Sequence, residues 1–468
     1  MTLSRRRVMQ SVTGLGVGFA LSACSNTQGA ENTFEKEMRV EKQPFTKLPQ
    51  TLLVNRERAT KIMNKAGIAA IICSVPRNIY YTTNYFPILS RMGMPGHSFA
   101  VLPADPRQAP VLIEGEYAFY IAGTESFTSK AVDLRLFTAP TDPDSFPSDL
   151  IDQLEAATYP SFLPTQHNTH ALSLTDKKKR DVIGKVNTER FANSHTALVK
   201  AILDMGYELE QLAVDDSFTK SILSRANILN VSVNGENMLR QIRLQKSTAE
   251  IELMKFAANA NAEAGLAAAK LVRDGASFID VRKDFFRQCS ERLLTPSFMV
   301  IDGVAHDMAN GEIEDGRAFL IDCVSHHQNY YGDYGRTVCV GEPTKEIAKA
   351  TQAMSDVWDD LLPRLRPGVK YNEIGAWALE VFEKTDSSAS LICNPHSVGL
   401  QHTDEPSANE TGFFVKDNLE LMEGMIISVD LPMMDVGLGG SAHLEDLVLI
   451  KSDGAELLNS GSDRVIVV

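Results

Sequence analysis

Apolar residues recur every three or four positions across residues 56–66 and stop at Gly67, which predicts an amphipathic helix. The apolar run at 68–73 predicts a short strand after it. Two further strands and one helix are predicted at 99–102, 110–113 and 196–205. This alternation of strand and helix patterns predicts an N-terminal α/β domain over residues 55–236.

A second domain is predicted to begin at Asn237 and to extend to residue 468. Ser247 and Glu250 have the spacing of a capping box, in which each side chain caps the other residue's backbone N–H. Apolar positions at helical spacing follow and predict a long helix that ends near Gly275. Further helices are predicted at 345–362 and from about residue 372.

Three apolar runs in the C-terminal half each contain acidic residues. Both alternating faces of these runs are apolar, which predicts strands buried on both sides with Asp322, Asp430 and Glu445 at strand ends. A buried carboxylate without a partner is costly, so an arginine, exposure at a strand end or a metal ion must compensate each acid. The runs lie at 318–323, 425–431 and 444–450.

Two more residues turn these acids into a candidate metal site. A hairpin could bring Asp333 beside Asp322, and His396 adds an imidazole. Four carboxylates and one imidazole can neutralise two divalent cations. Oxygen-rich ligation suits Mn, with Co, Fe or Zn as alternatives. Paired metals about 3.5–4 Å apart generate a hydroxide nucleophile and polarise a carbonyl, which is the chemistry of amide hydrolysis.

The overall composition narrows the class of partner. The formal net charge of -14 argues against nucleic acid, whose phosphate backbone requires a basic surface. Beyond Cys24, the five remaining cysteines are widely spaced, and we expect no disulfide framework.

The N-terminal residues resemble export signals. Three arginines at 5–7 precede an uncharged stretch at 8–23, as in a twin-arginine signal, and the stretch is too short for a comfortable membrane span. Residues 21–24 resemble a bacterial lipobox, in which Cys24 is lipidated after cleavage. We therefore expect an export signal at 1–23, a polar tether at 24–54, and a membrane-anchored lipoprotein facing the periplasm or the cell exterior.

The order of Asp322, Asp333, His396, Asp430 and Glu445 resembles the metal-ligand series of the creatinase/aminopeptidase P/prolidase ("pita-bread") family. Shorter motifs strengthen the resemblance: they are similar to the family's Asp-x-x-Arg-Thr, Gly-Met, Ile-Glu-Asp and Asn-x-x-Tyr-x-Thr and lie at 333–337, 424–425, 444–446 and 78–82.

The resemblance implies an α+β protein with an N-terminal creatinase-type α/β domain and a C-terminal pita-bread domain containing a curved antiparallel sheet. It also implies a role for each ligand. Asp322 would bind one metal ion, Asp333 and Glu445 would bridge, and His396 and Asp430 would bind the other. Asp430 could also assist proton transfer.

Three positions depart from the family pattern. Asp430 stands where the family usually has Glu, and His443 stands where peptidase members commonly have Arg. Thr403 occupies the place of a family His, although His402 precedes it directly. His306 matches a substrate-contacting His of the family. The resemblance thus implies four catalytic candidates: His306, His402, Asp430 and His443.

The resulting hypothesis is a metal-dependent hydrolase, most simply an Xaa-Pro aminopeptidase or dipeptidase that uses a hydroxide bridging two metal ions. One alternative is a creatinase-like hydrolase or lyase that acts on a small non-peptide substrate. The other is a catalytically inactive binding module of the same fold. A small peptide or amide is the expected substrate, and a homodimer is expected by analogy with the family.

Overall fold

The computed structural model describes residues 51–468 except 95, 123–130, 139–153, 155–160, 162, 164–171, 186–189, 386, 388, 407–417, 437–439 and 460–462. The predicted export signal, Cys24 and most of the predicted tether lie outside the described residues. Among the described residues, no helix combines the length and apolar character that crossing a membrane requires. Residues 48–468 form one compact unit.

Helices and strands are interspersed up to residue 232, as the hydrophobic pattern predicts, and they group into runs of helices and runs of strands beyond it. The helices are α1 Arg56–Ala66, α2 Pro76–Thr83, α3 Ile88–Arg91, α4 Glu116–Ala122, α5 Leu174–Lys185, α6 Ser194–Asp204, α7 Ser217–Arg225, α8 Gly235–Arg243, α9 Thr248–Ala269, α10 Phe278–Glu291, α11 Lys345–Leu361 and α12 Tyr371–Phe382. The strands are β1 Ala70–Cys73, β2 Phe99–Pro103, β3 Val111–Gly115, β4 Asp133–Phe137, β5 Arg190–Phe191, β6 Leu212–Val214, β7 Val231–Ser232, β8 Thr295–Ile301, β9 Ala318–His327, β10 Tyr330–Cys339, β11 Asn394–Ser397, β12 Ile426–Met433, β13 Ala442–Lys451, β14 Gly454–Leu457 and β15 Val465–Val467.

The first sheet is mixed and contains β1 to β7. Its strand order is β5-β4-β3-β2-β1-β6-β7, with β1 antiparallel to β2 and parallel to β6. Helix α1 leads into it with the predicted bounds. Asn55 caps its first turn, and Gly67 ends it in the left-handed region at φ 67°.

The second sheet contains the acidic strands and is antiparallel along its main path. Its order is β11-β12-β13-β10-β9-β8, with β14 added beside β13 and β15 beside β10. A two-residue turn at Gln328 and Asn329 joins β9 to β10, and both residues have positive φ, as tight hairpin turns require. The α+β architecture with an antiparallel C-terminal sheet confirms the predicted fold class.

Helix α9 covers one face of this sheet. A Cβ built at Gly332 of β10 would lie 2.5 Å from the carbonyl oxygen of Ala257, so the strand and helix backbones are in direct contact. Asn261 of α9 donates to the Cys323 carbonyl of β9 at 2.7 Å and accepts from the Ser325 hydroxyl of the same strand at 2.6 Å. Alternate residues of a strand face opposite ways, so Asp322 faces away from the helix.

Two expectations about local structure were wrong. The long helix ends at Ala269 rather than near Gly275, because the N–H groups of Leu271 and Val272 donate to carbonyls three residues back, at Ala268 and Ala269, instead of four. The acids of β9, β12 and β13 lie in the middle of their strands rather than at the ends. The acids can lie in the middle of these strands because polar side chains of the neighbouring strands lie beside them.

One hydrophobic core contains residues of both predicted domains. It includes Met63 of α1, Met254 of α9 and Leu447 of β13, which are all buried. The capping box of Ser247 and Glu250 is present as predicted at the start of α9. The domain boundary between residues 236 and 237 stays a prediction.

Candidate metal centre

The strand register places three acids in one row across the second sheet. Asp430 lies opposite Glu445, Glu445 lies opposite Gly335, and Gly335 lies opposite Asp322. Residues directly opposite each other in antiparallel strands project to the same face. We call Asp430, Glu445, Gly335 and Asp322 the carboxylate row, and the face onto which it projects the metal face.

The other candidates reach the metal face by the same two-residue period. Asp333 precedes Gly335 by two residues, and His443 precedes Glu445 by two. On β11, His396 lies opposite Ser428, two residues along the pleat from Asp430. In the hairpin of β9 and β10, Asp333 and Asp322 are not directly opposite each other. Asp333 lies opposite Val324, diagonally across from Asp322 on the same face.

His396 lies at the centre of the group. Its Nε2 is 3.6 Å from Asp333 Oδ2, 3.6 Å from Asp430 Oδ2 and 3.9 Å from Glu445 Oε1. Two further imidazoles flank these carboxylates. His402 Nε2 is 3.1 Å from Asp333 Oδ2, and His443 Nε2 is 3.1 Å from Asp430 Oδ1. Four acids and three imidazoles thus converge on one small volume.

Several buried polar atoms of this group have no hydrogen-bond partner among the described residues. A buried polar atom left unpaired costs about 1–3 kcal/mol, and more when it is charged. Divalent cations are bound by lone pairs of this kind on carboxylate oxygens and imidazole nitrogens. The unpaired atoms are Asp322 Oδ1, Asp333 Oδ1 and Oδ2, His396 Nδ1 and Nε2, His443 Nδ1 and Glu445 Oε2.

Three overlapping trios of side chains could each hold a cation, with one ligand atom from each residue and all atoms within 4.8 Å of one another. Asp333, His396 and Glu445 each belong to two trios, and the two carboxylates among them could be shared by neighbouring ions. The donor set therefore fits a pair of divalent cations, while the ligand role of each residue stays a prediction. The trios are Asp322–Asp333–Glu445, His396–Asp430–Glu445 and Asp333–His396–His402.

The pKa values of three acids in this group show that their negative charges need compensation. Burial, followed by the charge of Asp333, raises the pKa of Asp322 to about 7. The same two causes raise the pKa of Glu445 well above its ordinary value. Burial opposes ionisation of Asp430 as well, but His396 and His443 outweigh it and hold the pKa of Asp430 well below its usual range. The carboxylates repel one another unless cations lie between them.

Neighbouring groups hold the candidate ligands in place. Ser428 Oγ donates to Glu445 Oε1 at 2.5 Å. Arg336 lies on the opposite face of β10, where it donates to the Glu445 carbonyl at 2.8 Å and to Asp446 at 2.8 Å. Arg336 thus fixes the backbone of β13 beside Glu445.

His306 is the one predicted site residue that the structure does not bring to this group. It is exposed in the loop after β8, and its Nδ1 accepts from the Met308 N–H at 3.1 Å. It belongs to none of the three trios found among the described residues. A substrate-contacting role for His306 stays a prediction.

Sequence reasoning missed the buried ion pair that anchors the loop containing His402. Arg243 Nη2 donates to Asp404 Oδ1 at 2.9 Å, and Nη1 donates to Asn78 Oδ1 at 2.8 Å. Asp404 Oδ2 accepts from the Leu400 N–H at 3.1 Å. A signal was available, since Arg243 follows Leu239 and Ile242 on the apolar face of α8, where a charge needs a partner.

The residues of the metal face lie in a region that is similar to a known peptidase family. Residues 252–452 match the model of metallopeptidase family M24, and all seven residues that converge on the metal face lie in that range. The chain is similar to the probable dipeptidase PepE of Mycobacterium tuberculosis, with 25% identity over 282 residues that cover 58% of this chain and 73% of the relative. It is also similar to the Xaa-Pro dipeptidase of Pyrococcus furiosus, with 25% identity over 48% of this chain and 65% of the relative.

Solved structures extend the likeness to the first sheet. The prolidase of Pyrococcus horikoshii superposes with a TM-score of 0.59 at 19% identity, covering 87% of this chain and 98% of that one. The X-Pro aminopeptidase of Thermotoga maritima gives a TM-score of 0.59 at 17% identity, covering 88% and 99%. The chain therefore has the prolidase-like pita-bread fold, and its residues 252–452 are similar to metallopeptidase family M24.

Proposed function

We propose that this protein is a metal-dependent hydrolase that cleaves small peptides, most simply Xaa-Pro dipeptides or the N-terminal residue of Xaa-Pro peptides. The supporting observation is the group of buried, unpaired carboxylate and imidazole atoms on the metal face. The M24 match and the dipeptidases among the relatives support the same reaction class.

Five residues would hold the two cations: Asp322, Asp333, His396, Asp430 and Glu445. When bound, the cations supply positive charge that polarises the scissile carbonyl and lowers the pKa of water. Mn is the proposed metal, with Co, Fe or Zn as alternatives.

The chain's own polar groups prepare the site for this chemistry. His443 engages one oxygen of Asp430 and so leaves the other, Oδ2, directed toward His396. His402 is about one-third exposed, at 32%, and is therefore the imidazole of the group most accessible to a peptide. Asp430 and His402 remain the proposed groups for moving a proton between water and the leaving amine.

A second candidate is hydrolysis or lysis of a small non-peptide substrate. The observation that favours it is the position of Asp430, His402 and His443, the departures from the family pattern, within the metal group itself. Fold alone does not determine the substrate, so these changes bear on the reaction more than on the architecture.

The test is a substrate screen on protein loaded separately with Mn, Co, Fe or Zn. We expect turnover of Xaa-Pro dipeptides, little turnover of the matched Xaa-Ala dipeptides, and loss of activity on chelation with recovery on metal addition. Bound metal without peptide turnover would eliminate the peptidase function and favour the non-peptide substrate. Failure to bind any metal would instead favour a catalytically inactive binding module.

We also propose that the chain is exported and anchored through lipid on Cys24, as its resemblance to twin-arginine and lipobox signals suggests. Cys24→Ser should shift the protein from the membrane to the soluble fraction, and replacing Arg6 and Arg7 by Lys should retain it in the cytoplasm. Unchanged fractionation of both variants would contradict the proposal. A homodimer is proposed by family analogy and is testable by analytical ultracentrifugation.

A further inference from the structure

We propose that His402 is a direct ligand of the same metal ion as His396, so that two imidazoles hold one of the two cations and favour zinc or cobalt there. This inference rests on the proposed metal-dependent function and deepens it, because it assigns a ligand and a metal class to one half of the site.

The spacing of the atoms fits a shared ion. His402 Nε2 lies 3.1 Å from Asp333 Oδ2, and His396 Nε2 lies 3.6 Å from the same oxygen. Two ligands about 2.1 Å from a tetrahedral ion lie about 3.4 Å apart. The two imidazole rings are 4.8 Å apart between centroids, so both can approach one centre without overlapping.

The contact between His402 and Asp333 also fits two ligands of one ion better than a hydrogen bond. Although Nε2 is close to Asp333 Oδ2, that oxygen has no hydrogen bond of ordinary geometry among the described residues. This is the arrangement expected when both atoms point toward a third position between them.

The other ring nitrogen has an acceptor within reach in the ligating tautomer. His402 Nδ1 lies 3.2 Å from the hydroxyl oxygen of Thr403. Donation of the Nδ1 proton to that oxygen leaves the Nε2 lone pair free for a metal. Metal-ligating histidines commonly donate their second ring nitrogen to an oxygen in this way.

Asp430 explains why this ion needs a further donor. His443 Nε2 lies 3.1 Å from Asp430 Oδ1, which leaves Oδ2 as the oxygen nearer His396, at 3.6 Å. Asp430 is thus limited to one oxygen toward the ion, and His402 supplies an additional donor from the other side.

The loop that contains His402 is held rigidly enough to present a ligand. The Asp404 N–H donates to the Ser397 carbonyl at 2.8 Å, so the chain folds back and brings His402 over His396. Asp404 is itself fully buried and bound by Arg243.

Nitrogen ligation changes which metal the site prefers. Imidazole suits Zn, Cu, Fe and Ni, whereas carboxylate and water suit Mg and Mn, and affinities for nitrogen sites rise from Mn toward Zn. Adding a second imidazole therefore increases the preference for Zn or Co over Mn at this ion. The ion bound by Asp322, away from His396, keeps an oxygen-rich shell.

The test measures metal binding without substrate in wild type, His402→Ala, His402→Gln and His97→Ala, the last removing an exposed imidazole outside the group. Stoichiometry is obtained by elemental analysis after dialysis, and the Kd values of Zn and Mn by chelator competition. We expect two ions in wild type and His97→Ala. We expect both His402 variants to lose affinity for one zinc ion by at least about 10–100-fold, with a smaller loss for Mn.

Two results would overturn the assignment. One is unchanged zinc affinity in His402→Ala, which would leave His402 as an ion-pair partner of Asp333. The other is an equal loss of Zn and Mn affinity, which would indicate a positioning role. Thermal unfolding of the metal-free variants checks that they fold. Wild-type protein that binds no metal would contradict the proposed function itself, whereas two normally bound ions in His402→Ala would contradict only this inference.

Discussion

Gly335 lies directly beneath the imidazole of His443. A Cβ built at Gly335 would lie 2.3 Å from His443 Nδ1 and 2.8 Å from Glu445 Cβ. Gly335 also lies between Glu445 and Asp322 in the carboxylate row. The missing side chain is therefore what lets His443 lean across the row and bring its Nε2 to Asp430.

Gly335→Ala should displace His443 and weaken metal binding by about 10–100-fold, the usual range for losing a residue that orients a ligand. The measurement is chelator competition together with peptide turnover. Gly375→Ala is the matched control, because an added Cβ on α12 meets nothing within 4 Å. Metal affinity equal to wild type in Gly335→Ala would show that His443 does not need this space.

Asp430→Ala should abolish both metal retention and turnover. The substitution removes the carboxylate that lies 3.6 Å from His396 and 3.1 Å from His443. Metal content per chain and activity are measured on the same preparation. Asp453→Ala, which removes an exposed acid from the β13–β14 turn, is the control and should retain both properties. Unchanged activity in Asp430→Ala would defeat the ligand assignment.

Asp404→Ala should destabilise the protein by about 3–5 kcal/mol, because it removes the carboxylate that hydrogen-bonds the buried Arg243 guanidinium and leaves the more distant Glu236, at 3.7 Å, to balance its charge. The free energy of unfolding comes from denaturant titration. Asp359→Ala breaks an exposed pair with Arg464 and should cost at most about 1 kcal/mol. Equal effects of the two substitutions would mean that the Arg243 pair contributes no more than a surface contact.

Glu114 should make stability depend on pH near neutrality. The residue is fully buried, and burial raises its pKa to about 7 even though it accepts from Ser98 and from the Gly115 N–H. Because the folded state holds this proton more tightly, the stabilisation is complete below about pH 4.5 and is lost as pH rises through 7.

Glu114→Gln should therefore remove a decrease of up to about 3 kcal/mol in the free energy of unfolding between pH 5 and 8. Denaturant titrations at both pH values measure it. Glu57→Gln, at an exposed position of α1, should behave as wild type. A pH dependence that is the same in Glu114→Gln and wild type would show that Glu114 does not titrate in this window.

Local signals in the sequence were sufficient to predict the end of helix α1 and the start of helix α9. Gly67 and the Ser247–Glu250 capping box set their helix termini through groups within a few residues. The end of α9 could not be predicted in the same way. Beyond Ala269 the N–H groups of Leu271 and Val272 bond three residues back instead of four, and Gly275 and Ala276 then pair with Ile313, which is distant along the chain.

The candidate site was predictable in its residue types but not in its arrangement. Apolar runs interrupted by acids identified Asp322, Asp430 and Glu445. The positions opposite them depend on strand register, which the two-residue turn after β9 determines, so the diagonal relation of Asp333 to Asp322 was missed. The roles of Gly335 and Arg243 depend on distant neighbours and appear only once the strands and helices are packed.

Arg243 donates to two residues that are far apart in the sequence, Asn78 in α2 and Asp404 beyond β11. A fragment that starts at residue 237 would keep every candidate ligand and Asp404, yet it would remove the Asn78 acceptor of this buried guanidinium and expose the apolar surface that packs against α1. Excising a minimal enzyme from the C-terminal half should accordingly yield insoluble material. Swapping the N-terminal half between relatives would require the Asn78 contact to be preserved.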